Sequence, residues 1–215
     1  MLISCWSAKG GCGTTVVASA LALLLARSAG AALLADLAGD VPAALGLAEP
    51  AVPGLAEWLV AGPSVAADAL TRLEVPAADG LTVLPLGQVA LTEGGRAALL
   101  ASLLAADHRP VVVDCGSAPV GARLELAMAG TASLLVTRPC YLSLRRAAAS
   151  PLRPSGVILV EEKGRALQRD DVESVLGVPV RAVVMLDEAV ARAVDAGLLA
   201  TRLPRGLARS LRHAA

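Results

Sequence analysis

The chain has 215 residues, 55% of them hydrophobic, with a mean hydropathy of +0.65, two Trp, one Tyr and no Phe. That length suits one domain, 1–215, around an aliphatic core, and so little aromatic surface for stacking bases argues against a sequence-reading nucleic-acid module. Net charge is zero, yet residues 1–137 carry six Lys/Arg against eleven Asp/Glu and residues 138–215 thirteen against eight. A basic second part can mark contact with DNA or an anionic membrane, but scattered Arg on a solvated surface is the reading adopted. No apolar run reaches the roughly 18 residues that cross a bilayer, and residues 1–7 read as a buried strand rather than a leader, so the expected location is cytoplasmic. Cys5, Cys12, Cys115 and Cys140 are too widely spaced for a zinc pair and are read as free thiols.

Along the chain, an apolar strand at 2–6 leads into Ser7-Ala8-Lys9-Gly10-Gly11-Cys12-Gly13-Thr14-Thr15 and then a helix at 15–28 closed by Gly30. Strand, glycine turn and helix form a phosphate loop: the glycines let backbone N–H groups turn inward around an anion, and the helix adds its positive end. Thr15 stands where a hydroxyl would ligate Mg²⁺. A second strand at 32–35 ends in Asp36, followed by Leu37-Ala38-Gly39-Asp40, and a helix follows at 54–60. Residues 50–80 are the most loop-rich stretch, punctuated by Pro63 and Pro76. Strand 82–84, helix 94–106 and strand 110–113 come next, the last ending in Asp114, a carboxylate at the sheet edge where open parallel sheets bind ligands and where it would hold Mg²⁺ through a water. The remainder alternates helices at 121–129, 142–149, 169–176, 188–196 and 203–212 with strands at 133–136, 157–160 and 180–184. Nearly continuous apolar strands alternating with helices predict an α/β fold: three layers around a doubly wound, mostly parallel sheet.

The loop resembles the deviant Walker A motif of the ParA/MinD family, Lys-Gly-Gly-x-Gly-Lys-[Ser/Thr]. Lys9 matches the signature lysine that in relatives crosses a dimer interface to the partner's nucleotide, and Thr14 replaces the lysine that cradles phosphate. Val111-Val112-Val113-Asp114 looks like Walker B. The segment from Ala32 to Leu47 resembles the family's switch, whose Asp positions the attacking water: Asp36 matches the strand-terminal member and Ala38 replaces a second Asp, leaving Asp36 or Asp40 for that role. The likeness continues through Gly54-Leu55-Ala56-Glu57-Trp58-Leu59, Leu84-Pro85-Leu86-Gly87 and Thr137-Arg138-Pro139, and is greatest to the CpaE/TadZ-like branch. It implies a Rossmann-like P-loop NTPase with ATP and Mg²⁺ as cofactors: Lys9, Gly10, Gly11, Cys12, Gly13, Thr14 and Thr15 hold nucleotide, Thr15 and Asp114 serve the metal, and Asp36 and Lys9 serve catalysis. It also implies a nucleotide-dependent homodimer that presents a surface to a protein partner, a positioning or partitioning switch with weak or absent hydrolysis because Thr14 brings no cation and Ala38 no carboxylate. Relatives read adenine with an Asn where this chain has Val160-Glu161-Glu162-Lys163, so base recognition would fall to backbone groups.

The alternative is a metabolic P-loop enzyme, a synthetase or amidotransferase-like relative, for which Tyr141, His108 and His213 offer the only distinctive side chains. A cysteine-held iron–sulfur site is set aside in favour of thiols packed as small hydrophobes. The final helix could target a membrane through Leu203, Leu207 and Leu211, but packing against the domain is preferred.

Overall fold

The computed structural model describes residues 1–48, 53–62, 65–91 and 95–214. Its strands are β1 Leu2–Ser7, β2 Ala32–Asp36, β3 Val75–Ala78, β4 Leu81–Leu84, β5 Val111–Ser117, β6 Ala132–Thr137, β7 Gly156–Glu161 and β8 Val180–Met185. Between them lie α1 Thr14–Ala29, α2 Val41–Leu45, α3 Leu55–Val60, a 3₁₀ helix at Ala67–Leu73, α4 Ala97–Ala106, α5 Ala122–Ala129, α6 Tyr141–Ala148, α7 Arg169–Leu176, α8 Glu188–Asp195 and α9 Arg205–Leu211. The strands form one sheet in the order β3-β4-β2-β5-β1-β6-β7-β8, parallel except for the β3–β4 pair.

β1 lies inside the sheet, and its side chains alternate between two apolar layers. Ile3 and Cys5 face α1, α8 and α9, while Leu2 and Trp6 face α3 to α7, all at 0% exposure. Both faces of the sheet are thereby covered, and the strand ends are left to carry polar chemistry.

Three elements were not expected from the sequence: the 3₁₀ helix at Ala67–Leu73, within the stretch read as loop, and β3 and α2. β3 contains Pro76, taken there as a turn signal; on the outer edge of the sheet a missing N–H costs no ladder bond, so the proline is tolerated. α2 is too short for helical periodicity to show, although Pro42 in its first turn and Gly46 (φ 76°) just past its end follow the usual placement of those residues. Pro63 and Gly94, the start of the helix expected at 94–106, lie outside the described residues.

Side chains distant in sequence tie the sheet's periphery together. Arg109 donates to both Glu74 oxygens at 2.7 Å, to Asp107 Oδ2 at 2.8 Å and to Thr82 Oγ1 at 3.0 Å, pinning β3 and β4 to the start of β5. Glu57 accepts the N–H of Gly54 at 2.7 Å and of Gln88 at 2.9 Å, so α3 docks on the loop after β4. Gly87 has φ 91°, and a Cβ there would fall 2.9 Å from the Gly54 backbone nitrogen as well as displacing that carboxylate, which favours glycine. At the C-terminus Leu207 and Leu211 are buried in the layer with α1, and Arg202, Arg205, Arg209 and Arg212 face solvent. The leucine face that a membrane-targeting helix would present is used by the core. Among the described residues no helix is long and apolar enough to cross a membrane.

Candidate nucleotide site

β1 ends in the interior of the sheet, and the chain leaves it through the glycine loop before α1 begins. Gly11 (φ 76°) and Gly13 (φ 85°) adopt left-handed backbone, and a Cβ on either would meet no heavy atom within 4 Å. These glycines therefore face open space rather than packing. That space is a cavity of about 340 Å³ lined by the loop from Gly10 to Val16, by Ser7, by Ala38 and Asp40 after β2, and by Gly116, Ser117 and Arg123 after β5. A glycine loop lining a cavity at a helix N-terminus suits an anion.

The register brings the two carboxylates together. Asp36 and Asp114 are paired across β2 and β5, and Asp114 is paired across β1 with Cys5. Asp114 is 0% exposed; its Oδ1 accepts the Gly116 N–H at 3.0 Å, and its Oδ2 is buried without a partner among the described residues. Burial holds this carboxyl above its usual range, opposed by the Thr15 hydroxyl and the Gly116 N–H. The Ser7 hydroxyl, on a residue that lines the cavity, is also buried and without a partner among the described residues. Polar groups stranded in this way cost stability unless a ligand completes them. The orphaned oxygen of Asp114 beside the Thr15 hydroxyl is the donor set that a hard cation takes, so Thr15 and Asp114 fit Mg²⁺.

The switch segment is arranged differently from what residue types suggested. Asp36 is 0% exposed, with Oδ1 accepting Ala38 N–H at 2.9 Å and Gly39 N–H at 2.7 Å and Oδ2 accepting Val41 N–H at 3.1 Å. Both its oxygens are spent on shaping the turn into α2, and Asp36 does not line the cavity, whereas Asp40 is exposed and does. Burial, reinforced by Asp114 and opposed by those three N–H groups, raises the Asp36 pKa to about 6. Lys9 is half-buried, its Nζ 3.4 Å from the Gly10 carbonyl, and is not among the cavity's lining residues. Its charge is felt instead at Cys140, whose thiol is held below the usual value because the Ser143 hydrogen bonds, Lys9 and Arg165 outweigh desolvation. Cys5, Cys12 and Cys115 are buried in the apolar layers. Thr14 is 7% exposed and lines the cavity.

Two arginines of the site went unassigned in the sequence. Arg123 lines the phosphate cavity from the first turn of α5; the available signal was a cation just after Gly121, where a helix start favours the opposite charge. Arg138, at the end of β6, lines an apolar slot of about 200 Å³ that adjoins the loop at Cys12 and Gly13 and continues along Val160, Val184 and Val190. Its Nε is buried and unpartnered among the described residues. An apolar slot next to a phosphate loop can hold a purine ring; its charged lining residues are Arg138, Asp187 and Asp195, and residues 161–163 are not among those that line it.

A sequence comparison with curated proteins finds no match. Among solved structures the chain is similar to the septum site-determining protein MinD complexed with Mg-ADP from Pyrococcus horikoshii OT3, at 19% identity over 99% of this chain and 93% of that one, with a TM-score of 0.79. It is similar to a ParA family ATPase from Chlorobium tepidum TLS at 20% identity, covering 98% and 96%, TM-score 0.78. A MinC:MinD cell division protein complex from Aquifex aeolicus matches at 17% identity, covering 99% and 93%, TM-score 0.78. These likenesses establish the α/β P-loop architecture, and the sequence itself carries the family signature over residues 3–200. The chain belongs to the CbiA family, the CobQ/CobB/MinD/ParA nucleotide binding domain.

Proposed function

We propose that residues 1–215 act in the cytoplasm as one nucleotide-binding domain of the ParA/MinD type, an ATP-dependent switch that positions or partitions cellular machinery and has weak or absent hydrolysis. The observation that carries this reading is the buried Oδ2 of Asp114, unpartnered among the described residues, on a carboxylate bonded to Gly116 in the lining of a cavity ringed by the Gly10–Thr15 loop. In this reading the loop amides bind the phosphates and the apolar slot at Val160 and Val184 takes the base. Thr15 and Asp114 hold Mg²⁺, which when bound neutralises phosphate charge. Weak chemistry follows from Thr14, which offers a hydroxyl where a lysine would stand, and from Ala38, whose Cβ lies 3.2 Å from where a Cβ on Gly116 would sit. Asp40 then has better access to a water over the phosphates than Asp36, which organises the turn beneath it. Lys9, which does not line its own cavity, is free to serve a homodimer in which it reaches the partner's nucleotide, the deviant Walker A arrangement. The Gly39-Asp40 turn, the Leu84-Pro85-Leu86-Gly87 segment and the lysine-less loop favour the CpaE/TadZ-like branch, and a protein partner is expected, as the MinC:MinD complex illustrates for its own members.

The test is calorimetry of ATP, ADP and GTP with and without Mg²⁺, together with phosphate release by wild type and Thr14→Lys. Mg²⁺-dependent ATP binding with slow turnover that Thr14→Lys accelerates is the expected result. No nucleotide binding, or wild-type turnover that Thr14→Lys leaves unchanged at the rate of ordinary hydrolases, defeats the reading.

A further inference from the structure

The cavity over the phosphate loop is poor in positive charge. Asp40 lines it, Asp36 at the end of β2 is paired with Asp114 inside β5, and Thr14 offers a hydroxyl where an ammonium would serve. Among the described residues that line it, Arg123 is the cationic one. Its position is not explained by the needs of its own helix: Arg123 is the second residue of α5, where a cation opposes the positive end of the helix macrodipole. Nor is it explained by ion pairing, since among the described residues no carboxylate lies within 4.0 Å of its guanidinium.

The loop that presents it is strained. Gly116 (φ 66°), Ala118 (φ 45°) and Gly121 (φ 54°) all have left-handed φ values, and for Ala118 that conformation is costly. The shape is enforced by the Ala118 N–H, which donates to the Ser7 carbonyl at 2.7 Å and so ties the loop to the end of β1. A Cβ on Gly116 would lie 3.5 Å from Arg123 Nη1 and 3.2 Å from the Ala38 Cβ, so the guanidinium, the switch segment and the end of β5 meet at one point beside Asp114. An unpaired guanidinium at the rim of an anion-shaped cavity has the geometry to grip phosphate oxygens with two N–H groups at once.

We infer that Arg123 is a phosphate-binding residue of this site, supplying within the same subunit the cation that Thr14 does not. The inference rests on the nucleotide-binding reading above. A guanidinium placed there neutralises the extra charge of a triphosphate more than that of a diphosphate, so Arg123 also sets the preference between the two.

The test measures ATP and ADP affinity by calorimetry for wild type, Arg123→Ala, Arg123→Lys and the double variant Thr14→Lys/Arg123→Ala, with the nucleotide-free melting temperature of each. Loss of one charge-assisted contact is expected to weaken ATP binding on the order of tenfold or more in Arg123→Ala, to weaken ADP binding less, and to leave the melting temperature unchanged. Arg123→Lys should keep part of the affinity, and Thr14→Lys should restore it in the Arg123→Ala background, because both side chains deliver charge to the same phosphates. If Arg123→Ala proves unfolded, Arg123→Gln, which keeps the side-chain bulk, takes its place. Wild-type affinity in the neutral variant, or losses that are equal for ATP and ADP and not restored by Thr14→Lys, overturn the role of Arg123 while leaving nucleotide binding intact. A wild-type protein that binds neither nucleotide overturns both.

Discussion

Replacing Asp36 by Asn separates the structural use of this carboxylate from its charge. The folded environment raises its pKa from 3.8 to about 6, chiefly by burial and then by the neighbouring charge of Asp114, against three N–H bonds that favour the ion. Because the folded value lies above the unfolded one, the folded chain holds the proton more tightly between about pH 4 and pH 6. Stability from this group is therefore complete below pH 4 and lost as pH rises through 6. A difference of roughly two pH units corresponds to about 3 kcal/mol. Asn keeps an oxygen for the Ala38 and Gly39 N–H groups but presents an NH₂ to Val41, whose buried N–H then goes unpaired at a cost of about 1–3 kcal/mol. The variant should thus be destabilised at pH 4 and draw level with wild type by pH 7. Urea denaturation of nucleotide-free protein at half-unit steps from pH 4 to pH 7 measures the difference directly. Parallel stability curves for the two proteins would refute the claim that Asp36 is buried at the expense of its charge. A second arm tests the site: Mg²⁺ bound beside Asp114 should flatten the wild-type curve by lowering the pKa of both carboxyls.

Three further outcomes follow from other parts of the molecule. Gly11→Val is expected to abolish nucleotide binding in calorimetry while the far-ultraviolet circular dichroism stays native, because the new side chain projects into the cavity from a left-handed backbone position that contacts nothing else. Lys9→Ala should reduce ATP-dependent dimerisation, read by light scattering, more than it reduces nucleotide affinity; a monomer at all ATP concentrations in wild type removes the sandwich. Arg109→Ala should cost about 2–4 kcal/mol in urea unfolding, since it leaves Glu74 and Asp107 without their shared partner near the base of the sheet. The hydrogen bonds of Arg109 outweigh burial and depress the Asp107 pKa, so this contribution is present above the ordinary carboxylate range and is lost as acid protonates the folded group.

Much of this was legible in the chain itself, for definite reasons. Strands buried on both faces are written as unbroken apolar runs, so seven of the eight could be located from composition alone, and the turn between the first strand and helix announces its anion site because only glycine supplies its backbone angles. The motif residues from Lys9 to Thr15, with Asp36, could be named for the same reason, since they sit where a strand or helix ends and such ends are punctuated in sequence; Asp114 was named from the carboxylate that breaks an apolar run, although β5 continues past it to Ser117. What the sequence could not decide is which of these groups face the same space. Asp36 and Asp40 are equivalent as residue types, and only the register of β2 on β5 turns the first inward to hold three N–H groups and leaves the second at the cavity. Arg123 and Arg138 lie far from the loop along the chain, and their local signals, a cation at a helix start and a Thr-Arg-Pro segment, do not say which space they face; parallel pairing brings the ends of β5 and β6 to either side of β1 and delivers both to the nucleotide site. Local spacing determines which atoms a segment can offer; the order of strands in the sheet determines which of them meet.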